Sequence, residues 1–218
     1  SDVKGAIDAV RNRTSRIKSA LLDFKMRPEQ AYAIKKTAAY FQAEKTQNPS
    51  KAARFLWNAK MRFGKTFTAY QLAKAMAWKR ILILTFKPAV QHAWQTDLTN
   101  HADFQNWDFI SSNTKEIADM KSQNPLVCFG SFQDFLGRNK VGGIKAKNEW
   151  VHEINWDVVI LDEYHYGAWR ERANELFDGE EESEVAAAEG EGLQIYNESI
   201  LPITSNHFLY LSGTPFRA

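Results

Sequence analysis

Asn58-Ala59-Lys60-Met61-Arg62-Phe63-Gly64-Lys65-Thr66 decides how the rest of this chain reads. The stretch follows an apolar run, Phe55-Leu56-Trp57, and precedes a helical pattern over 67–78. A strand, a tight loop ending in Gly-Lys-Thr and then a helix is the arrangement that cradles a nucleoside triphosphate. The loop amides and the helix N-terminus offer positive partial charge to phosphate oxygens. Lys65 is placed to reach the β- and γ-phosphates, and the Thr66 hydroxyl to ligate Mg²⁺. The pattern asks for Gly at its first position, where this chain has Ala59. Gly-Lys-Thr alone arises by chance in many proteins; its weight comes from the strand–loop–helix setting.

A second stretch fits the first: Trp156-Asp157-Val158-Val159-Ile160-Leu161-Asp162-Glu163-Tyr164-His165. Val158 to Leu161 is an unbroken apolar run, as expected of a strand buried on both faces of a parallel sheet. Two carboxylates follow at once. Ligands of open α/β sheets sit beyond the carboxyl ends of the strands, so Asp162 and Glu163 are expected beside the phosphate loop. Asp162 is assigned to the metal, because Mg²⁺ takes oxygen ligands and keeps part of its water. Glu163 is assigned as the base that accepts a proton from the attacking water. An acidic strand end with no partner is common on protein surfaces; the loop at Lys65 is what argues against that reading here.

These residues carry a family resemblance. Asp162-Glu163-Tyr164-His165 resembles the Asp-Glu-x-His box of superfamily 2 helicases and translocases, and 59–66 resembles their motif I, in which Ala often stands first. Leu211-Ser212-Gly213-Thr214-Pro215 is similar to motif III, and Arg27-Pro28-Glu29-Gln30 to the Arg-Pro-x-Gln element whose glutamine reads the adenine edge. The four occur in the family's order and span 27–215. Met-Arg-Phe-Gly-Lys-Thr and Ser-Gly-Thr-Pro-Phe-Arg carry the tone of bacterial or phage helicases and of restriction-enzyme motor subunits.

The resemblance implies a first RecA-like motor domain that uses ATP and Mg²⁺. It implies nucleotide contacts from Arg27, Gln30, Lys60, Met61, Arg62, Phe63, Gly64, Lys65 and Thr66, with catalysis by Glu163, Lys65 and Asp162. It implies that His165, Ser212 and Thr214 couple hydrolysis to the nucleic acid, and that the motif III strand lies between the strands bearing motifs I and II. A second RecA-like domain is expected beyond Ala218, supplying arginines to the same phosphates. DNA is the expected nucleic acid, and a DNA motor of restriction or repair type the expected machine; an ATP-gated binding switch without translocation is the other reading.

Composition agrees with a cytosolic globular domain. With 218 residues the chain is long enough for one well-buried core. A single cysteine, Cys128, rules out a disulfide framework. No apolar stretch approaches the ~20 residues that span a membrane, and the cytoplasm is the expected location. Seven acids and no base fall within 178–191, and removing those charges from the net +2 leaves +9, which suits a polyanionic partner. That acidic segment and the Gly/Lys-rich 138–148 read as loops.

Alternating patterns predict strands at 54–58, 80–85, 107–111, 126–130, 157–161 and 207–211. Helices are expected at 3–24, 29–43, 65–78, 89–99, 114–121, 168–177 and 193–201. The expected fold is therefore α/β: a RecA-like P-loop domain over 27–218, with a doubly wound, mostly parallel sheet, helices on both faces and a helical extension over 1–26. Two strand ends face the expected nucleic-acid side. Lys87 in Thr85-Phe86-Lys87-Pro88 is a candidate backbone contact, and Ser131 caps the following helix, touches a phosphate, or does both. Phe24 or Arg27 is placed to cover the adenine. The tryptophans read as packing residues, with Trp94 and Trp169 the two to test as stacking platforms. His92, His101, His152 and His207 show no metal spacing.

Overall fold

The computed structural model describes residues 21–112, 123–135, 149–163 and 203–213. Six strands form one sheet: β1 (Ala53–Asn58), β2 (Arg80–Thr85), β3 (Asp108–Ser111), β4 (Leu126–Ser131), β5 (Val158–Asp162) and β6 (His207–Ser212). The helices are α1 (Pro28–Gln47), α2 (Lys65–Ala75), α3 (Gln91–Asn100) and two short ones, α4 (Phe132–Phe135) and α5 (Glu149–Glu153). The spatial order is β1-β6-β5-β2-β4-β3, and every neighbouring pair is parallel. The motif III strand β6 lies between β1 and β5, as the resemblance implied.

Strand periodicity divides the core. Ile81, Ile83, Val158, Ile160, Leu209 and Leu211 point into one apolar cluster, shared with Phe41, Tyr70 and Trp94 of the helices. Leu82, Leu84, Val159, Leu161 and Phe208 alternate into the other, against Phe132, Phe135, Val151 and Trp156. Successive side chains of a strand face opposite sides of the sheet, so a central strand flanked by two such layers must be apolar throughout. That is why β2 and β5 read as unbroken runs.

The helix ends have local causes. Pro28 occupies the first turn of α1, where its missing N–H costs nothing, and the Gln30 side chain accepts from the Arg27 N–H at 2.9 Å. α2 stops short of the expected Trp78. Ala77 takes a left-handed φ of 54°, and the Ala77 and Trp78 amides donate back to the Lys74 and Ala73 carbonyls at 3.1 and 3.0 Å, the pair of hydrogen bonds that closes a helix C-terminus. Pro88–Val90 is a 3₁₀ turn, so the helix expected from 89 begins as α3 at Gln91.

One expected element ends differently. The helix predicted over 3–24 does not include 21–24, which are not helical. Leu22 instead bridges His101, donating to Asn100 O at 2.7 Å and accepting from Ala102 N at 2.9 Å. Phe24 rests its ring against the domain while staying half exposed, 4.6 Å from the Phe67 ring and 4.7 Å from His101, and Leu21 is exposed. The remainder of that helix, those expected at 114–121, 168–177 and 193–201, and the loops at 138–148 and 178–191 lie outside the described residues.

Candidate nucleotide-binding and hydrolysis site

Because all six strands run the same way, their carboxyl ends share one edge. Register aligns Asn58 with Ser212, and Thr85 with both Asp162 and Ser131. The loop after β1, the acidic end of β5 and the end of β6 are therefore neighbours by construction of the sheet.

The loop from Ala59 to Gly64 turns sharply into α2. Ala59 is buried and donates its N–H to Ser212 O at 2.9 Å, tying motif I to the motif III strand. Ala59 is not among the positive-φ residues, so the pattern's first glycine is not required there. Gly64 is: its φ is 79°, and a Cβ on it would lie 2.8 Å from Gln30 Nε2. Gly64→Ala is expected to strain the backbone and displace Gln30, destabilising the fold by roughly 1–3 kcal/mol and weakening nucleotide binding. Thermal unfolding and an ATP titration of the same variant check both.

Arg27 and Gln30 hold the loop from behind. Gln30 is buried, and its Nε2 donates to Phe63 O at 2.8 Å. The Arg27 guanidinium donates to Arg62 O at 3.0 Å and also to Phe63 O, and pairs with Glu29 at 3.3 Å. The element upstream of motif I thus braces the loop's carbonyls, a role the sequence reading did not assign. Phe24, the other candidate for the adenine face, lies against Phe67 and His101. Lys60, Met61 and Arg62 are exposed on the outer turn of the loop, with Arg62 at a left-handed φ of 67°.

The charges meet beneath the start of α2. Lys65, its first residue, places Nζ 4.0 Å from Asp162 Oδ1 and 3.5 Å from Glu163 Oε1. Gly213 closes the third side, since a Cβ there would lie 3.2 Å from the same Nζ. Glu163 takes a left-handed φ of 55°, a conformation costly for a residue with a side chain and concentrated at functional sites. Lys87 reaches Glu163 Oε2 at 3.7 Å. Asp162 is buried, which pushes its pKa up; a Trp94 hydrogen bond, the Lys65 charge and the Glu163 N–H pull it back. Those three keep an ionised carboxylate tenable in a dry place.

The donors here are carboxylate and hydroxyl oxygens, the set a hard cation prefers. Among the described residues no three His, Cys, Asp or Glu side chains gather to enclose an ion. Mg²⁺ fits such a site, because it is held by one or two carboxylates together with substrate phosphates and water. Asp162 and Thr66, the second residue of α2, are the candidates that would hold it.

Other expected residues fall as follows. Ser131 is buried and caps α4: its Oγ accepts from Asp134 N at 3.0 Å and donates to Asp134 Oδ2 at 2.8 Å. Trp94 is 1% exposed and is no stacking platform. His165, Thr214 and Trp169 lie outside the described residues. A cavity of about 210 Å³ opens at the opposite edge of the sheet, by Lys45, Lys51, Ala53, Asn155 and His207, remote from these groups. No helix among the described residues is long and apolar enough to cross a membrane.

Sheet order, phosphate loop and acidic strand end together define a RecA-like ATPase domain of the superfamily 2 helicase type. The chain belongs to the family described as Type III restriction enzyme, res subunit (ResIII), whose model matches residues 23–217. It is 37% identical over 210 residues to a putative type II restriction enzyme and methyltransferase (C-terminus) from Mycoplasma pneumoniae, a match covering 87% of this chain and 28% of that one. Its fold is similar to the SWI2/SNF2 ATPase core of Sulfolobus solfataricus in complex with double-stranded DNA, with a TM-score of 0.51, 15% identity, and coverage of 91% of this chain and 34% of that one. It is also similar to a nuclease-deletion mutant of the Type ISP restriction-modification enzyme LlaGI bound to a DNA substrate mimic, with a TM-score of 0.51, 14% identity, and coverage of 89% and 18%. This chain therefore spans about a third or less of each of these relatives.

Proposed function

We propose that this domain binds ATP with Mg²⁺ and hydrolyses it, with Glu163 as the base, and that the whole protein uses the reaction to move along DNA. One observation carries the reading: Lys65, Asp162 and Glu163 converge within 4.0 Å below the start of α2. The α2 amides and Lys65 hold the phosphates, and bound Mg²⁺ supplies charge neutralisation there. Glu163 takes the proton of a water as its oxygen bonds to the γ-phosphorus and the bond to ADP breaks. Gln30 has a second N–H on Nε2 for the adenine edge, with Arg27 beside it. Ser212, Thr214 and His165 are assigned to coupling and Lys87 to the nucleic-acid backbone, whereas Ser131, buried and bonded to Asp134, is left as the cap of α4.

Residues 27–218 are proposed as the first of two motor domains, with 1–26 as an extension and a second RecA-like domain after Ala218. Restriction enzymes among the relatives and DNA in two solved complexes support DNA as the track. Arginines from a second domain are worth ~10³-fold or more in such reactions. This chain alone is therefore expected to bind ATP yet turn it over about 10³-fold more slowly than the full-length protein on duplex DNA. Equal turnover by the two would contradict the two-domain reading, and hydrolysis by the full-length protein that ignores DNA would contradict the motor.

A further inference from the structure

Trp94 makes a bond that packing alone does not call for. Its indole Nε1 donates to Asp162 Oδ2 at 2.8 Å; the tryptophan is 1% and the aspartate 6% exposed. A buried indole N–H needs an acceptor, but a neutral one suffices. Trp156 uses Val151 O at 3.0 Å and Trp57 uses Thr37 Oγ1 at 2.8 Å. Trp94 is instead given a carboxylate whose burial disfavours its charge.

The two oxygens of Asp162 are thereby distinguished. Oδ2 faces α3 and the indole. Oδ1 accepts the Glu163 N–H at 2.8 Å and faces Lys65 at 4.0 Å. An indole N–H donates only and cannot accept, so the bond persists only while the carboxylate presents a lone pair to it. Trp94 is itself fixed. Tyr70 of α2 donates to Trp94 O at 3.0 Å, and the rings meet edge to face at 5.3 Å and 87°. The helix that begins with Lys65 is thus linked through Tyr70 and Trp94 to the carboxylate that Lys65 faces.

We propose that Trp94 is a positioning residue for the metal carboxylate: its indole N–H holds Asp162 Oδ2 so that Oδ1 is turned to the cation that accompanies the nucleotide. This rests on the assignment of Asp162 to the metal in the proposed function. Partners that orient a metal ligand are worth about 10–100-fold in metal affinity or activity. Trp94 also stands on α3, which follows directly on the Lys87 and Pro88–Val90 turn. The bond therefore connects the segment proposed to meet nucleic acid with the metal end of the site.

The test measures Mn²⁺ binding by electron paramagnetic resonance, in full-length protein saturated with a non-hydrolysable ATP analogue. Trp94→Phe keeps an aromatic ring and removes the donor; it is expected to weaken Mn²⁺ about 10-fold or more. Asp162→Asn is expected to weaken it further, and Trp94→Phe to add nothing in that background, because the two act through one bond. Trp156→Phe, which removes a buried indole N–H bonded to Val151 O and not to the carboxylate, is expected to bind Mn²⁺ as wild type does. Should Trp94→Phe not fold, benzothienylalanine at position 94 keeps the tryptophan's shape and lacks only the N–H. Wild-type Mn²⁺ affinity in the donor-less proteins, with Asp162→Asn impaired, would overturn this inference and leave the proposed function standing. Wild-type affinity in Asp162→Asn would overturn the assignment of Asp162 itself.

Discussion

Glu163→Gln is expected to lower ATP turnover by about 10³-fold, within the range by which a positioned general base accelerates proton transfer, while nucleotide binding survives. The carboxamide keeps the shape of the side chain and loses its capacity to take a proton. Glu163 is well placed to act as that base. It follows the last residue of β5, its backbone is held in a left-handed conformation, and its two oxygens face Lys65 at 3.5 Å and Lys87 at 3.7 Å. Both cations lie on the rim where phosphates are proposed to bind, so the substitution leaves the positive side of the site intact. Steady-state turnover and an equilibrium titration with labelled ATP on the same variant separate the two effects. Normal hydrolysis by Glu163→Gln would remove this residue from the role of base.

Lys65→Ala is expected to act on binding itself, weakening ATP by roughly 10–100-fold, the loss that goes with a hydrogen bond to a charged group. The consequence goes beyond one missing contact. Lys65 is the cation between Asp162 and Glu163; without it two carboxylates face an incoming triphosphate with less charge to offset them. A like-charge cluster in a partly dry site repels the ligand. Lowering ionic strength should therefore weaken ATP binding to the variant, since repulsion is then less screened, whereas in wild type it should strengthen it. Unchanged affinity in Lys65→Ala would place the triphosphate elsewhere.

The sheet was legible because its chemistry is redundant. β2 and β5 are apolar at every position between their ends, as both-face burial demands, and each ends on a polar residue at the ligand edge. The phosphate loop announced itself through Gly64, whose left-handed backbone favours glycine, and Lys65. Less legible were features decided by tertiary partners. Leu21 and Phe24 have helical spacing, but the Leu22 backbone finds its hydrogen bonds at Asn100 and Ala102. Trp94 is buried, as the packing reading of the tryptophans expects, but an aromatic on an amphipathic helix is ambiguous until its face is known. Its bond to Asp162, 68 residues away in sequence, leaves no local trace. The bracing of Arg62 and Phe63 carbonyls by Arg27 was hidden for the same reason: a guanidinium can serve a base, a phosphate or a carbonyl, and only the fold chooses. The short α5 lacked the length for a periodic pattern to show.

The most direct test of the central claim is a crystal structure of the protein with a non-hydrolysable ATP analogue and Mn²⁺, the metal located by its anomalous signal. The γ-phosphate should lie against Lys65 Nζ, with the manganese beside Thr66 and Asp162. Nucleotide bound away from that edge, for instance in the cavity by Lys45 and His207, would contradict it.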